Sequence, residues 1–184
     1  MRIIAGELRH LNLKTPKGDN TRPTTDRIKE TLFNILNPYL YDCKFLDLFS
    51  GSGGIGLEAI SRGAKCAYLI ERDKSAIACI EDNIKTTKTN DKAFLIKGDV
   101  ITKIASLPCK FDFIFMDPPY NFELEKTAIE SIIRFDKLED NGLIIVEADL
   151  NTKFDYLKSF GLYIEREKLY KTNKHIFIRK LEEK

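Results

Sequence analysis

The stretch Lys44–Gly63, KFLDLFSGSGGIGLEAISRG, decides the fold of this 184-residue chain. Its first residues are mostly apolar and predict a short buried strand. Gly51, Gly53 and Gly56 follow with the spacing G-x-G-x-x-G and lead into a helix over 56–62. Glycine permits a tight turn and lets a ligand touch the backbone, and the helix N-terminus offers free N–H groups to an anion. The stretch therefore predicts a strand–loop–helix unit that binds a cofactor.

Beyond this unit, predicted strands and helices alternate along the chain. The apolar runs predict strands over 44–49, 66–71, 93–97, 111–116 and 143–147, and helices over 73–86, 100–106 and 124–135. Such alternation is typical of an α/β fold, with a mostly parallel sheet that helices cover on both faces. Near the end of the chain, the runs 163–170 and 175–180 flank a polar turn and predict an antiparallel hairpin at the sheet edge.

Residues 1–40 precede the alternation and are interpreted as an N-terminal extension to a main domain over 41–184. Within the extension, residues 2–13 alternate loosely and predict a small β-hairpin or edge strand. The prolines and glycine of 14–23 predict a loop. A threonine, Thr24 or Thr25, then caps a helix that ends near Asn37, before a proline.

Composition places the chain among ordinary soluble domains. Hydrophobic residues make up 43% and charged residues 32% of it, and no stretch approaches the roughly 20 apolar residues of a membrane span. The first residues carry no apolar signal run, so we expect a cytoplasmic protein with no membrane partner. Four cysteines without C-x-x-C spacing and two histidines make a zinc site or a histidine-based triad hard to build. We therefore expect reduced thiols and no metal.

Charge is distributed unevenly although the net charge is only +2. Residues 1–30 carry a net +3 and residues 151–184 a net +4, whereas residues 31–150 carry −5. Basic ends are typical of a protein that docks on nucleic acid, but they also occur as ordinary solvated faces. The acidic middle suits a cationic or neutral ligand.

Three carboxylates bear on the choice of cofactor. Glu71 lies 20 residues after Gly51 at the end of a predicted strand, where a carboxylate can hold ribose hydroxyls. Asp47 precedes the same glycine by four residues, where it would face the ammonium group of S-adenosylmethionine and hinder the pyrophosphate of NAD. Asp99 could accept a hydrogen bond from an adenine amino group or, alternatively, cap the next helix. The pattern favours S-adenosylmethionine and leaves NAD open.

The tetrapeptide Asp117-Pro118-Pro119-Tyr120 follows the fourth predicted strand, at the sheet edge where ligands bind in such folds. Its prolines keep the segment extended and rigid. The carboxylate of Asp117 and the carbonyl of Pro118 can accept both protons of an exocyclic amino group, and the ring of Tyr120 can stack on the base. These contacts orient the nitrogen lone pair toward a methyl donor. The tetrapeptide thus indicates methyl transfer to an amino group.

Together, three blocks of sequence carry a family resemblance: Arg2–Gly6 with Arg22–Arg27, then Asp47–Gly63, then Asp117–Tyr120. Over nearly its whole length the chain resembles the RsmD family of bacterial 16S rRNA guanine-N2 methyltransferases. The resemblance implies a Rossmann-like class I methyltransferase fold that uses S-adenosylmethionine and leaves S-adenosylhomocysteine. It also implies 16S rRNA as substrate, within the small ribosomal subunit or a late assembly intermediate, with one guanine flipped into the site. We expect a monomer.

The same resemblance implies roles for individual residues. The implied contacts to the target base are Asp117, Pro118, Pro119 and Tyr120. The resemblance implies cofactor contacts at Gly51, Gly53 and Glu71, and we predict further contacts at Asp47, Ser50, Ser52, Asp99 and Thr24. The implied RNA contacts are Arg2, Arg9, Arg22 and Arg27, although the block Arg22–Arg27 could instead be a loop and helix cap. Two departures from the family pattern, His10 and Tyr170-Lys171-Thr172, fall in segments that would touch RNA.

Other functions stay open from the residues alone. An amino methyltransferase acting on DNA adenine or on a protein glutamine would use the same tetrapeptide. An NAD-dependent oxidoreductase would explain the glycine loop but would leave Asp117–Tyr120 without a role. A non-catalytic RNA-binding protein on a methyltransferase fold is a third alternative, although every polar group that the transfer needs is present.

Overall fold

A computed structural model describes residues 1–16, 26–119 and 123–181 of the chain. These residues form a seven-stranded sheet with the order β3-β2-β1-β4-β5-β7-β6. The strands are β1 (Lys44–Leu48), β2 (Cys66–Glu71), β3 (Ala93–Lys97), β4 (Phe111–Met116), β5 (Leu138–Asp149), β6 (Leu162–Leu169) and β7 (Asn173–Lys180). The α-helices are α1 (Asp26–Leu36), α2 (Gly54–Ser61), α3 (Lys74–Thr87), α4 (Val100–Ile104) and α5 (Leu124–Arg134), with 3₁₀ turns at Asn37–Tyr39 and Asp155–Phe160.

Strand direction in the sheet confirms the predicted α/β class. Strands β1 to β5 pair in parallel, because each connection between them runs through a helix or a long crossover. Strand β7 pairs antiparallel with β5 and β6, which confirms the C-terminal hairpin. The chain order reverses between β1 and β4. At such a reversal the loops beyond the carboxyl ends of the strands diverge and leave a crevice for a ligand.

Two hydrophobic clusters, one on each face of the sheet, bury its strands. Successive side chains of β1 alternate between them, since Phe45 belongs to one cluster and Leu46 to the other. Residues of the N-terminal segment, α1, α2 and α3 complete the first cluster. Residues of α4, α5 and the second 3₁₀ turn complete the other. The N-terminal segment therefore shares a core with the sheet.

Two differences from the predicted boundaries have a clear physical reason, and one short element was missed. Helix α2 begins at Gly54 instead of 56, because Gly53 takes the capping position with a φ of 76°. Strand β5 begins at Leu138, five residues before the predicted start, because an irregularity between Phe111 and Phe113 of β4 lets the strand pair earlier. The polar turn signal of residues 140–142 masked this extension in the sequence. The 3₁₀ turn Asp155–Phe160 was not predicted.

The expected N-terminal hairpin is reduced to one antiparallel bridge, between Arg2 and Asn12. Residues 1–16 contain no regular strand, because several of their backbone groups bond to α2 instead. The N–H of Glu7 donates to the carbonyl of Ser61 at 2.8 Å. At Gly6, where φ is 84°, a side chain would place its Cβ 1.8 Å from that same carbonyl oxygen. Antiparallel backbone hydrogen bonds still join the two arms, from Ile3 to Leu11, from His10 to Ile3 and from Leu13 to Met1, so the predicted hairpin forms with a single bridge and without a regular strand.

A buried ionic cluster ties the N-terminal segment to the helices. Lys29 and Glu58 are both fully buried and their Nζ and Oε2 atoms lie 3.1 Å apart. The Glu58 carboxylate also accepts hydrogen bonds from the backbone N–H groups of Ile4 and Ala5 and from Arg62. Burial lowers the pKa of the Lys29 ammonium, and the charge of Glu58 opposes that shift. Local sequence reasoning missed this cluster, because its members meet only when α1 packs on α2.

Two further expectations concern the thiols and the membrane. All four cysteines are free, as predicted. Across residues 1–16, 26–119 and 123–181, no helix combines the length and the apolar character needed to cross a membrane.

Candidate active site

A cavity of about 540 Å³ lies at the reversal point of the sheet. The loops after β1 and β4, the ends of β2 and β5, the first residue of the chain and the turn before β7 all contribute to its wall. Most of the predicted cofactor and target residues line it, namely Asp47, Ser50, Gly51, Ser52, Glu71, Asp99, Asp117, Pro118 and Pro119. Thr24, Arg22 and Tyr120 lie outside the described residues.

The glycine loop has the backbone geometry that its sequence predicts. Gly51 and Gly53 have φ values of 56° and 76°, in the left-handed region that favours glycine. An added Cβ at Gly51 would meet nothing within 4 Å, so the backbone there is open to the cavity. Gly53 does not line the cavity but caps α2. At Gly56 a Cβ would lie 2.2 Å from the Leu69 side chain, so this glycine lets α2 pack closely on β2.

The two serines of the loop use their side chains within the protein. The Ser50 hydroxyl donates to the backbone carbonyl of Asp47 at 2.6 Å. The Ser52 hydroxyl lies 3.5 Å from the sulfur of Met1. Both residues are buried and line the cavity, which makes the loop backbone the more accessible part of this wall.

Glu71 and Asp99 face the cavity from the ends of β2 and β3. One Glu71 oxygen accepts from the N–H of Gly51 at 2.8 Å, and the other from the N–H groups of Arg72 and Asp73. These bonds hold the carboxylate against the glycine loop. Asp99 caps α4 through the N–H of Ile101 at 3.0 Å, so the alternative interpretation of this residue is confirmed. Its other oxygen is 3.2 Å from the Arg72 guanidinium.

Asp47 is almost completely buried beneath the glycine loop. Its Oδ2 accepts from the N–H of Gly56 at 3.1 Å. Burial raises the pKa of Asp47 to about 8, helped by the nearby charge of Glu71, while the Gly56 hydrogen bond opposes the shift. A carboxylate with this environment gains strongly from a cation placed beside it.

Asp117 follows the buried end of β4. Burial raises the pKa of its carboxyl well above the usual range, and the charges of Glu147 and Asp47 add to the shift. Pro118 and Pro119 continue along the cavity wall. The structure thus joins the glycine loop and the Asp117 segment, which begins 66 residues after Gly51 in the sequence, in one site.

The charges of the wall determine which ligands suit the cavity. Five carboxyl groups and one guanidinium, that of Arg72, belong to the described residues that line it; the carboxyl groups are those of Asp47, Glu71, Asp99, Asp117 and Glu147. Apolar side chains such as Phe49, Ile70 and Val100 complete the wall. A pyrophosphate would be repelled here, whereas a cationic group attached to a flat, partly apolar body matches both features.

The predicted RNA contacts are only partly described. Arg2, Arg9 and Arg27 are exposed on the N-terminal segment and the first turn of α1. The Arg2 guanidinium pairs with Asp26 at 2.8 Å, and both side chains are about half exposed. Nothing in their position assigns a ligand to them.

Sequence reasoning missed Met1, Glu147 and Asn173 in the cavity wall. Glu147 had a signal that could have been used, because it lies near the carboxyl end of a parallel strand, like Glu71 and Asp117. Asn173 had none, because only the antiparallel pairing of β7 with β5 carries it to the site.

Comparison with known proteins identifies relatives along most of the chain. The family model described as conserved hypothetical protein 95 matches residues 1–178. Ribosomal RNA small subunit methyltransferase D of Haemophilus influenzae is 39% identical over 153 residues, which cover 81% of this chain and 79% of the relative. The protein of the same name from Escherichia coli K12 is 37% identical over 150 residues, covering 82% and 75%.

Solved structures agree with these matches. The Escherichia coli protein yhhF superposes with a TM-score of 0.86 at 32% identity, covering 100% of this chain and 99% of that one. A ribosomal protein L11 methylase of Lactobacillus delbrueckii shares the fold at a TM-score of 0.67 and 19% identity, covering 84% and 80%. With the family model spanning nearly the whole sequence, the chain belongs to the RsmD family.

Proposed function

We propose that this protein transfers a methyl group from S-adenosylmethionine to the exocyclic N2 of a guanine in 16S rRNA. The observation that carries the proposal is that the glycine loop and Asp117-Pro118 open into the same cavity, which is lined by five carboxyl groups. The names of the relatives, ribosomal RNA small subunit methyltransferase D, support rRNA as the acceptor. We also propose that the substrate is the small ribosomal subunit or a late assembly intermediate. The protein would act on it as a monomer in the cytoplasm.

The residues of the cavity fit S-adenosylmethionine. Asp47 is a buried carboxylate that lacks a cationic partner among the described residues that contact it, and the ammonium of the methionine part would supply one. Glu71 beside Gly51 would receive ribose hydroxyls, and Ile70 and Val100 would flank the adenine. Met1 lies against Ser52 and covers this side of the cavity, so we assign residues 1–40 a part in closing the cofactor site. When bound, the cofactor supplies an electrophilic methyl group on a positively charged sulfur.

The chain's own residues would prepare the acceptor nitrogen. The Asp117 carboxylate and the Pro118 carbonyl each accept one N–H of the guanine amino group and so aim its lone pair toward the methyl group. Burial raises the pKa of Asp117. The positive charge that a bound cofactor brings into the cavity would lower this pKa again, and the carboxylate would then stay ionised and able to accept a hydrogen bond. The Asp117 carboxylate and the Pro118 carbonyl are fixed on a rigid proline segment. They therefore need to move little when charge develops on the guanine nitrogen. After transfer, Asp117 holds the proton that the alkylated nitrogen loses.

Methyl transfer to ribosomal particles tests the proposal. Small subunits that lack their own modification of this type are incubated with the protein and labelled S-adenosylmethionine, and the RNA is digested to nucleosides. We expect the label in N2-methylguanosine. Label in no nucleoside, although S-adenosylmethionine binds, would contradict the assignment and favour a DNA adenine or protein glutamine acceptor. Binding of NAD in place of S-adenosylmethionine would contradict the cofactor as well.

The buried charge of Asp47 predicts a stability cost in the free protein. Because its pKa is raised to about 8, the folded state holds a proton that the unfolded chain has released above its usual pKa. Stability therefore falls as pH rises from about 4 to 8. We expect Asp47→Asn to raise Tm at pH 7 by roughly 2–6 °C and to flatten this pH dependence.

The same substitution, Asp47→Asn, should weaken the binding of the cofactor. Without the carboxylate, S-adenosylmethionine affinity should fall about 10–100-fold, the worth of one buried charged hydrogen bond. Thermal unfolding and calorimetric titration measure the two effects, with Asp91→Asn at an exposed position as the control. A lower Tm together with unchanged affinity would show that Asp47 is a structural residue.

A further inference from the structure

Glu147 is a second carboxylate beside Asp117, and the mechanism above does not use it. Val146 pairs with Met116, so the next residues of the two parallel strands, Glu147 and Asp117, are neighbours at the sheet edge. Both line the cavity, and the Glu147 side chain is only 7% exposed. The amino group that receives the methyl group would therefore bind the carboxylate of Asp117, with the carboxylate of Glu147 next to it.

Residues of β7 hold the Glu147 carboxylate in place. The Nδ2 of Asn173 donates to Oε1, and Nε2 of His175 lies 3.1 Å from Oε2. On the far side of the imidazole, the Tyr170 hydroxyl is 3.3 Å from Nδ1. His175 is fully buried, with its ring edge-on to Phe115 at 6.1 Å. With Nε2 protonated, the imidazole donates to Glu147 and accepts from Tyr170, so the carboxylate is fixed by two donors.

An unpaired acceptor lies in the same wall. Asn173 is buried and borders the cavity, and its Oδ1 has no hydrogen-bond partner within the described structure. A buried acceptor left without a donor destabilises the folded protein until a donor reaches it. Each Glu147 oxygen also has a lone pair left after accepting one bond. This wall is therefore rich in acceptors and suits a ligand edge that carries donors.

We propose that Glu147, positioned by Asn173 and His175, selects guanine by accepting its N1–H. The inference rests on the proposed function and specifies how the base is read. Guanine presents the N1–H donor directly beside its N2 amino group, so Asp117 and Glu147 can receive neighbouring donors on one edge. Adenine places an acceptor at N1 beside its amino group, and that acceptor would face the carboxylate. A site built to form a hydrogen bond with its substrate can discriminate against an analogue that lacks the hydrogen-bonding group by up to about 10⁴–10⁵-fold in kcat/KM. The reason is that the buried partner in the protein is then left unpaired.

Replacement of the target guanine by 2-aminopurine tests this reading. 2-Aminopurine keeps the amino group at position 2 but has an acceptor in place of N1–H. Small-subunit RNA is ligated from fragments that carry guanine or 2-aminopurine at the methylated position, reconstituted with ribosomal proteins, and assayed in single turnovers. We expect the wild-type protein to prefer guanine by at least about 100-fold.

Glu147→Gln should collapse that preference to within about tenfold, because an amide can donate to N1 of 2-aminopurine but no longer offers a carboxylate to guanine. A merely structural role would lower both rates equally and leave their ratio unchanged, and this result would overturn the proposal. The control is Glu165→Gln, the same substitution on β6, where the side chain pairs with Arg179 at the surface. We expect it to keep the wild-type ratio.

Two further readouts keep the test decisive. If Glu147→Gln does not fold, Asn173→Ala leaves the carboxylate but removes one of its positioning donors, and the preference should fall about tenfold. An unchanged preference there would overturn the proposal. Wild-type protein that methylates guanine and 2-aminopurine at equal rates would also overturn it. Protein that methylates neither base would instead refute the proposed function.

Discussion

We expect Asp117→Ala to lower the rate of methyl transfer to small-subunit RNA by about 10³-fold, the scale on which removing one transition-state hydrogen-bonding group acts. The alanine cannot accept a proton of the amino group, so the nitrogen lone pair loses its orientation. S-adenosylmethionine affinity should change by less than about tenfold, because Asp47 and Glu71 remain in the wall. Single-turnover transfer and calorimetric titration separate the two effects.

The melting temperature of the Asp117→Ala variant shows whether a loss of activity comes from unfolding. Because burial raises the pKa of Asp117, its ionised form destabilises the free protein, and its removal should leave Tm unchanged or raise it. A loss of activity with an intact Tm then reports on chemistry alone. The control variant Asp91→Ala, at an exposed position, should keep full activity. Asp117→Ala protein that transfers methyl groups at the wild-type rate would contradict the mechanism.

The second large effect concerns stability. We expect Glu58→Ala to lower the free energy of unfolding by about 3–5 kcal/mol, because it leaves Lys29 buried without its partner carboxylate. It also removes the acceptor for the N–H groups of Ile4 and Ala5. For a chain of this length, the loss corresponds to roughly 6–20 °C in Tm. Thermal and urea unfolding measure it, with Glu30→Ala on the exposed face of α1 as the control.

A double substitution identifies the cause. Lys29→Met together with Glu58→Leu removes both charges, so its cost should be clearly smaller than the sum of the two single substitutions. Additive costs would mean that the ion pair itself contributes nothing. Because Met1 at the start of the same segment lines the cofactor cavity, Glu58→Ala should also weaken S-adenosylmethionine binding. We therefore expect stability and S-adenosylmethionine affinity to change together through the N-terminal segment.

The helical and strand elements of the main domain could be predicted because their signals are local. The glycine spacing requires a turn and a capped helix. Asp117 is followed by two prolines, and their rigidity does not depend on distant parts of the chain. Parallel strands that share a helix-covered sheet bring their carboxyl ends to one edge, so the meeting of the glycine loop with Asp117 follows from topology. The predicted element boundaries were wrong where the backbone hydrogen-bonds to another part of the chain, as at the start of β5 and in residues 1–16.

The amino-acid sequence by itself determined the α/β class, the glycine loop after β1 and the proline segment that follows Asp117, because each depends on residues close together in the chain. Only the tertiary structure decided which distant groups share a buried environment. It brought Lys29 to Glu58, and it carried Asn173 and His175 on an antiparallel strand to Glu147. The physical reason is that the energy of a buried charge depends on its neighbours in space, and local periodicity carries no information about them.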